Sequence, residues 1–329
     1  MSLRERVFVT RLIPDEGLIQ IKETFETSVW EKEAPPSKAE IISKAADCTG
    51  IATLLSDPID AELMDALPEL KVIAQYAVGY DNIDVEAATE RGIMVTNTPG
   101  ILTETTADLT WALILATARR VPEADRYIRN GRWSVAWGPR MLLGRDVYGA
   151  TLGIVGAGRI GTAVAKRAAG FSMKILYYSR SSNEEMEARL GGERTDLITL
   201  LRESDIVSIH VPLTDETRNM IGAKELQEMK SKAILVNTAR GSIVDEDALA
   251  HSLQSGGIAG AGLDVFREEP VPTDSRFIDL DNVVILPHIG SASVDTRAKM
   301  AEMCAMNLIS AMKGERPPNL VNPEVYSNE

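Results

Sequence analysis

The chain has 329 residues, 44% of them hydrophobic and 25% charged, the balance of a globular protein long enough for two domains. A net charge of −13 disfavours non-specific nucleic-acid binding, and no apolar run reaches the roughly 18 residues of a membrane span. Cys48 and Cys304 stand far apart outside any C-x-x-C, so neither a disulfide framework nor a bound metal is expected. The opening MSLRERVFVT lacks a signal-peptide apolar core, which makes a cytoplasmic location the expectation.

Residues 7–10 read as a strand, followed by an amphipathic segment over 16–27. Pro35-Pro36-Ser37 is a loop and a start signal for a helix running to residue 46. Further strands are expected at 51–55, 72–76 and 93–96, with helices at 61–66 and 85–91 between them. Strand–helix alternation of this kind marks a parallel α/β sheet with right-handed crossovers, and the first hundred residues are expected to form a five-stranded, flavodoxin-like unit. Asn97-Thr98-Pro99-Gly100 breaks the pattern before a long apolar helix over 102–120, expected to be buried between units. Residues 121–149 read as irregular and hold Trp133 and Trp137, two of the four tryptophans. They are either a packing arm at a subunit interface or a surface loop with an aromatic anchor.

From residue 151 the alternation resumes, with strands expected at 152–155, 174–178, 206–210, 233–237, 260–264 and 283–286 and helices such as 160–169 and 245–255 between them. A last helix covers 291–313, and a proline-bearing tail follows. The fold class is therefore α/β, two doubly wound parallel-sheet domains. Residues 1–100 and 291–329 form the substrate domain, and 101–290 form an inserted cofactor domain with a linking helix and the arm 121–149.

The inserted domain opens with TLGIVGAGRIG, in which Gly156, Gly158 and Gly161 have the G-x-G-x-x-G spacing of a Rossmann dinucleotide fingerprint. The first glycine permits the tight turn, the second lets the backbone approach a pyrophosphate, and the third lets the helix pack close to its strand. Ala157, Arg159 and Ile160 belong to the same cradle. An acidic residue about 20 positions on would bind the ribose of NAD. Here the second strand runs instead into Ser179-Arg180-Ser181-Ser182. A cation with hydroxyl donors suits a 2′-phosphate, so NADP(H) is expected in preference to NAD(H).

Three histidines exist to serve as general acid near neutral pH. His251 reads as a surface residue on an amphipathic helix, and His210 as a packed residue at a strand end. His288, after the strand Val283-Val284-Ile285-Leu286, stands where side chains reach the ligand side of a doubly wound sheet. A neighbouring carboxylate favours the protonated imidazole, and Asp264, Glu268 and Glu269 all follow the preceding strand without position alone choosing among them. Arg240, after another strand, could fix a substrate carboxylate.

Six stretches, YAVGYDNID, GIVGAGRIG, VPLTDETRNMI, ILVNTARGSIVDEDAL, AGAGLDVFREEP and NVVILPHIGSA, make the chain resemble the D-2-hydroxyacid dehydrogenase family over nearly its whole length, and most closely its NADP-dependent glyoxylate/hydroxypyruvate reductase branch. The resemblance implies catalytic roles for Arg240, Glu269 and His288, choosing Glu269 among the carboxylates. It implies that the Val78-Gly79 backbone holds the substrate carboxylate with Leu54 nearby, and that Asp264 lies near the nicotinamide carboxamide. Further cofactor contacts are expected at Thr106, Val211 and Pro212, and at Thr238, Ala239 and Gly290. The branch also implies reduction of glyoxylate or hydroxypyruvate to the D-2-hydroxy acid and a homodimer formed through 121–149. The rival readings are a D-lactate-like or phosphoglycerate-like specificity, formate being disfavoured, and a non-catalytic nicotinamide-sensing corepressor.

Overall fold

The computed structural model describes residues 5–328, in two compact units: Met1–Leu102 with Ser291–Glu329, and Thr103–Gly290. In the first unit, β1 (Arg6–Val9), β2 (Glu26–Val29), β3 (Gly50–Thr53), β4 (Val72–Gln75) and β5 (Met94–Thr96) form an all-parallel sheet in the order β2-β1-β3-β4-β5. This is the doubly wound flavodoxin-like order. The central strands β3 and β4 are buried at every position, because helices cover both faces; their sequences GIAT and VIAQ therefore run apolar rather than alternating.

The fifth strand, β2, lies where the amphipathic pattern of 16–27 suggests a continuing helix. That helix ends at Thr24, and Glu26-Thr27-Ser28-Val29 pairs with β1 at the sheet edge, Arg6 opposite Glu26. An edge strand alternates exposed and half-buried positions, so its polar residues carry no strand signature by hydropathy. Helix Lys38–Ala45 starts on a capping box in which Ser37 and Glu40 satisfy each other's backbone donors. The tail after the last helix, Val294–Met312, is stitched to β5: Val321 N–H donates to Val95 O at 2.8 Å, and Asn322 Oδ1 accepts from Val95 N–H at 2.8 Å.

In the second unit, β6 (Thr151–Val155), β7 (Lys174–Tyr178), β8 (Glu193–Arg194), β9 (Ile206–Ile209), β10 (Ile234–Asn237), β11 (Gly260–Leu263) and β12 (Val283–Ile285) are parallel in the order β12-β11-β10-β9-β6-β7-β8. Renumbered from β6, this is the Rossmann order 3-2-1-4-5-6 with one strand added, and its direction reverses between β6 and β9. Buried Leu152, Ile154, Tyr177 and Val236 on one side and Val155, Leu235, Leu249 and Leu263 on the other fill its two cores. Each fully buried aliphatic side chain of this kind contributes about 1.5–3 kcal/mol.

The long helix is Thr103–Ala118, and it packs on its own unit against β10, β11 and the helix Arg159–Ala168. Trp111 Nε1 donates to Val164 O at 2.9 Å. Residues 121–149 are not irregular throughout: Val121–Arg129 is a second helix, separated from the first by Arg120 at φ +54° and opened by Pro122. Its apolar positions Val121, Ala124 and Ile128 keep helical spacing, but it buries no residue. No helix among the described residues is long and apolar enough to cross a membrane.

Candidate active site

The phosphate cradle is built by the turn from β6 into the helix Arg159–Ala168. Gly156 has φ +104°, and a Cβ there would lie 2.7 Å from the His210 and Val211 backbone. A Cβ on Gly161 would lie 2.1 Å from Gly156 O, so the close approach of helix to strand excludes a side chain. Gly158 differs, since its Cβ would meet nothing within 4 Å. The protein's own packing does not demand that glycine, and the open space in front of it suits a phosphate. Gly158 is also the N-cap and offers no capping side chain, which leaves the helix's first N–H groups and its positive end for an anion.

Beyond β7, Arg180 is exposed and Ser179 half-buried. Two residues not expected from the sequence fix this loop. Arg194 of β8 donates from Nη2 to the carbonyls of Ser179 (3.0 Å) and Arg180 (2.8 Å). Asn183 donates from Nδ2 to Ala157 O (2.8 Å) and Thr162 Oγ1 (3.0 Å), tying the loop to the cradle. The Glu216 carboxyl, held below its usual range by its bond from Thr214 Oγ1, also feels the charge of Arg180. Arg194 carries no motif signal, because it acts through main-chain carbonyls 14 and 15 residues away.

The chemistry-bearing residues follow β10, β11 and β12 of the same unit. Asn237, at the end of β10, shapes the turn that holds Arg240: its side chain donates to Arg240 O (2.8 Å) and accepts from Ala239 N–H (3.0 Å). Gly241 comes next, where a Cβ would stand 1.9 Å from the Phe266 carbonyl carbon, so the β10 and β11 turns lie against each other. Past β12, His288 N–H donates to Asp264 O (2.9 Å) and Ile289 N–H to Asp264 Oδ1 (2.8 Å). His288 itself sits at φ +53°, a left-handed backbone unusual for a side chain of this size and held there by those two bonds.

Of the three carboxylates that follow β11, Glu269 is the one against the imidazole. Its Oε2 lies 2.7 Å from His288 Nδ1, and its Oε1 accepts from Phe266 N–H at 2.9 Å. Burial works to raise the Glu269 carboxyl, but the bond and charge of His288, the Phe266 amide and the charge of Arg240 outweigh it and hold it below the usual carboxylate range. With Nδ1 engaged by Glu269, Nε2 is the ring nitrogen left to face a substrate.

Burial raises the Asp264 carboxyl, and its Oδ2 is buried with no hydrogen-bond partner among the described residues. That oxygen lies 3.3 Å from where a Cβ on Gly290 would be, with Thr106 beside it. An acceptor aimed at the space kept by a glycine fits an amide donor such as a nicotinamide carboxamide. Thr106 is buried on the long helix, and Thr238 bonds Thr110 at 2.9 Å on the same side. Val211 and Pro212 begin the loop after β9, where Pro212 O accepts from Thr217 Oγ1 at 2.6 Å.

His210 is a packed residue. Its Nε2 bonds Ser208 Oγ at 2.8 Å, and burial pushes its pKa down to about 3, so it stays neutral near pH 7. His251 is exposed on the helix Glu246–Ser255. In the other unit, Leu54 follows β3, and Val78 and Gly79 lie in the loop after β4. Among the described residues no group of three His, Cys, Asp or Glu could hold a metal ion.

Residues 111–290 match the family described as D-isomer specific 2-hydroxyacid dehydrogenase, NAD binding domain. The chain is 61% identical to a glyoxylate reductase of Korarchaeum cryptofilum over 98% of its own length and 97% of that protein. Among solved structures it resembles a Thermus thermophilus protein at TM-score 0.90 and 48% identity, over 96% of this chain and 99% of that one. It also resembles an NADPH-dependent glyoxylate/hydroxypyruvate reductase of Sinorhizobium meliloti, solved with NADP and malonate, at TM-score 0.86 and 38% identity over 98% of each chain.

Proposed function

This chain belongs to the D-isomer-specific 2-hydroxyacid dehydrogenases, and from that premise we propose that it reduces glyoxylate, hydroxypyruvate or both to the D-2-hydroxy acid at the expense of NADPH. The observation that carries the reading is the 2.7 Å pair of Glu269 and His288, with the charge of Arg240 close enough to act on the same carboxylate. A bound nicotinamide dinucleotide supplies the hydride. Gly156, Ala157, Gly158, Arg159 and Ile160 would hold its pyrophosphate, Asp264 its carboxamide, and Thr106, Val211, Pro212, Thr238, Ala239 and Gly290 the rest of its length.

His288, oriented through its Nδ1 by Glu269, gives its Nε2 proton to the oxygen of the 2-oxo group as that oxygen gains negative charge. Arg240 holds the carboxylate and polarises the carbonyl with its guanidinium. In the first unit, the resemblance to the family supports Leu54 and the Val78-Gly79 backbone as substrate contacts. Fixing both reactants in attack geometry supplies a large share of the barrier reduction.

The 2′-phosphate reading rests on the exposed Arg180 at the end of β7, the serines around it and the absence of a carboxylate from residues 179–182. Pairing of two copies through 121–149 is supported by the exposed Trp133, Val135, Trp137, Leu143 and Tyr148, which concentrate apolar surface on one segment.

The test is a steady-state panel of glyoxylate, hydroxypyruvate, pyruvate and 2-oxobutanoate, each with NADPH and with NADH. The highest kcat/KM is expected for glyoxylate or hydroxypyruvate with NADPH. A preference for pyruvate would move the assignment to a D-lactate-like enzyme, and absence of turnover with every acid would leave the corepressor reading.

A further inference from the structure

The loop after β4 presents three successive carbonyls, each taken by a donor from within the first unit. Ala77 O accepts from Thr98 N–H at 2.8 Å, Val78 O from Asn97 Nδ2 at 2.8 Å, and Gly79 O from Gln75 Nε2 at 3.2 Å. These peptide bonds are trans, and in a trans peptide the C=O and N–H point in opposite directions. Turning each carbonyl toward the body of the unit therefore turns the N–H groups of Val78, Gly79 and Tyr80 away from it. Among the described residues no protein acceptor takes those three donors. The loop also rises to the surface along this run, from Ala77 at 4% exposure to Tyr80 at 41%.

The anchors are braced from behind. Gln75, 1% exposed, accepts from Thr53 Oγ1 at 2.7 Å and donates to Asn82 Oδ1 at 2.7 Å. Asn82 in turn donates from Nδ2 to Leu54 O (3.0 Å) and Asp57 O (2.8 Å). The loops after β3 and β4 are thus joined into one platform by two side-chain amides.

We propose that Asn97 and Gln75 are positioning residues that preset the Val78, Gly79 and Tyr80 amides to receive a substrate carboxylate, and that Asn82 locks Leu54 to the same platform. This rests on the reading above, in which the Val78-Gly79 backbone takes the carboxylate. Donors fixed before the substrate arrives need no reorganisation when it binds, and a cluster of outward N–H groups suits an anion. A polar network so fully satisfied holds one loop conformation, because any other leaves buried amides unpaired.

The experiment compares the wild type with Asn97→Ala, which removes the Val78 anchor at a half-exposed position, and with Asn97→Ser, which keeps a small polar side chain one bond too short to replace it. Three readouts are taken with saturating NADPH: KM and kcat for glyoxylate, KM for the cofactor, and kcat/KM for methyl glyoxylate, the ester without a carboxylate. Loss of one anchoring bond is expected to raise KM for glyoxylate about 10-fold, with kcat, cofactor KM and ester kcat/KM nearly unchanged. An unchanged glyoxylate KM overturns the inference, as does a rise matched by the ester and the cofactor. If Asn97→Ala does not fold, Asn97→Ser is judged by the same readouts. Wild-type failure to reduce either glyoxylate or hydroxypyruvate would instead remove the functional reading, and the inference with it.

Discussion

Replacing His288 with alanine is expected to lower kcat for 2-oxo acid reduction by about 10²–10⁴-fold, the usual contribution of a positioned general acid, while cofactor affinity changes far less. The expectation follows from the bond between His288 Nδ1 and Glu269 Oε2, which fixes the ring and leaves Nε2 as its proton-bearing edge. The pH profile makes the test sharper. On the acid side the pair fails only when Glu269 is protonated. Because the Glu269 carboxyl is held below its usual range, that contribution is intact above the ordinary carboxylate pKa of about 4.3 and fades only as pH falls through the lower folded value. His210, with its pKa pushed down to about 3, adds no limb near neutrality. The residual activity of His288→Ala should therefore lack the acid-side decline that protonation of Glu269 gives the wild type. A rate within a few-fold of wild type would remove His288 from its role.

The second large effect concerns the cofactor. In Arg180→Asp, KM for NADPH is expected to rise about 10- to 100-fold, the worth of one charge-assisted bond to phosphate plus the repulsion of a new carboxylate. NADH, whose ribose hydroxyl a carboxylate can accept from, should gain. Arg180 is exposed, and its charge is felt by the exposed Glu216 carboxylate, so the substitution disturbs no core contact. Initial rates with each nucleotide at several concentrations check it, and a wild type that prefers NADH would refute the NADP assignment outright.

Most of the architecture was readable because parallel strands covered on both faces are continuous apolar runs, as in LVN of β10 and IVSI of β9. What escaped lay at edges and on surfaces. Strands β2 and β8 carry ETSV and ER, which pair at sheet margins without burying an apolar face. Helix Val121–Arg129 buries nothing. The β7 loop was visible as a cation among serines, but its brace, Arg194, was not, since a guanidinium bonded to carbonyls leaves no trace in residue spacing. Three carboxylates could be pointed to beside His288; only the folded turn, with Phe266 N–H on one oxygen of Glu269 and His288 on the other, distinguishes them physically. The platform of Gln75, Asn82 and Asn97 was likewise hidden, because side-chain amides bonded across loops have no periodicity.

The most direct measurement is a single turnover in which enzyme and a stoichiometric amount of NADPH are mixed with excess glyoxylate, following nicotinamide fluorescence and assaying the product. The expected result is loss of the NADPH signal with one glycolate formed for each NADPH consumed. Persistence of the signal with glyoxylate and, in a parallel run, with hydroxypyruvate, under conditions where NADPH binding is verified, would contradict the proposed function.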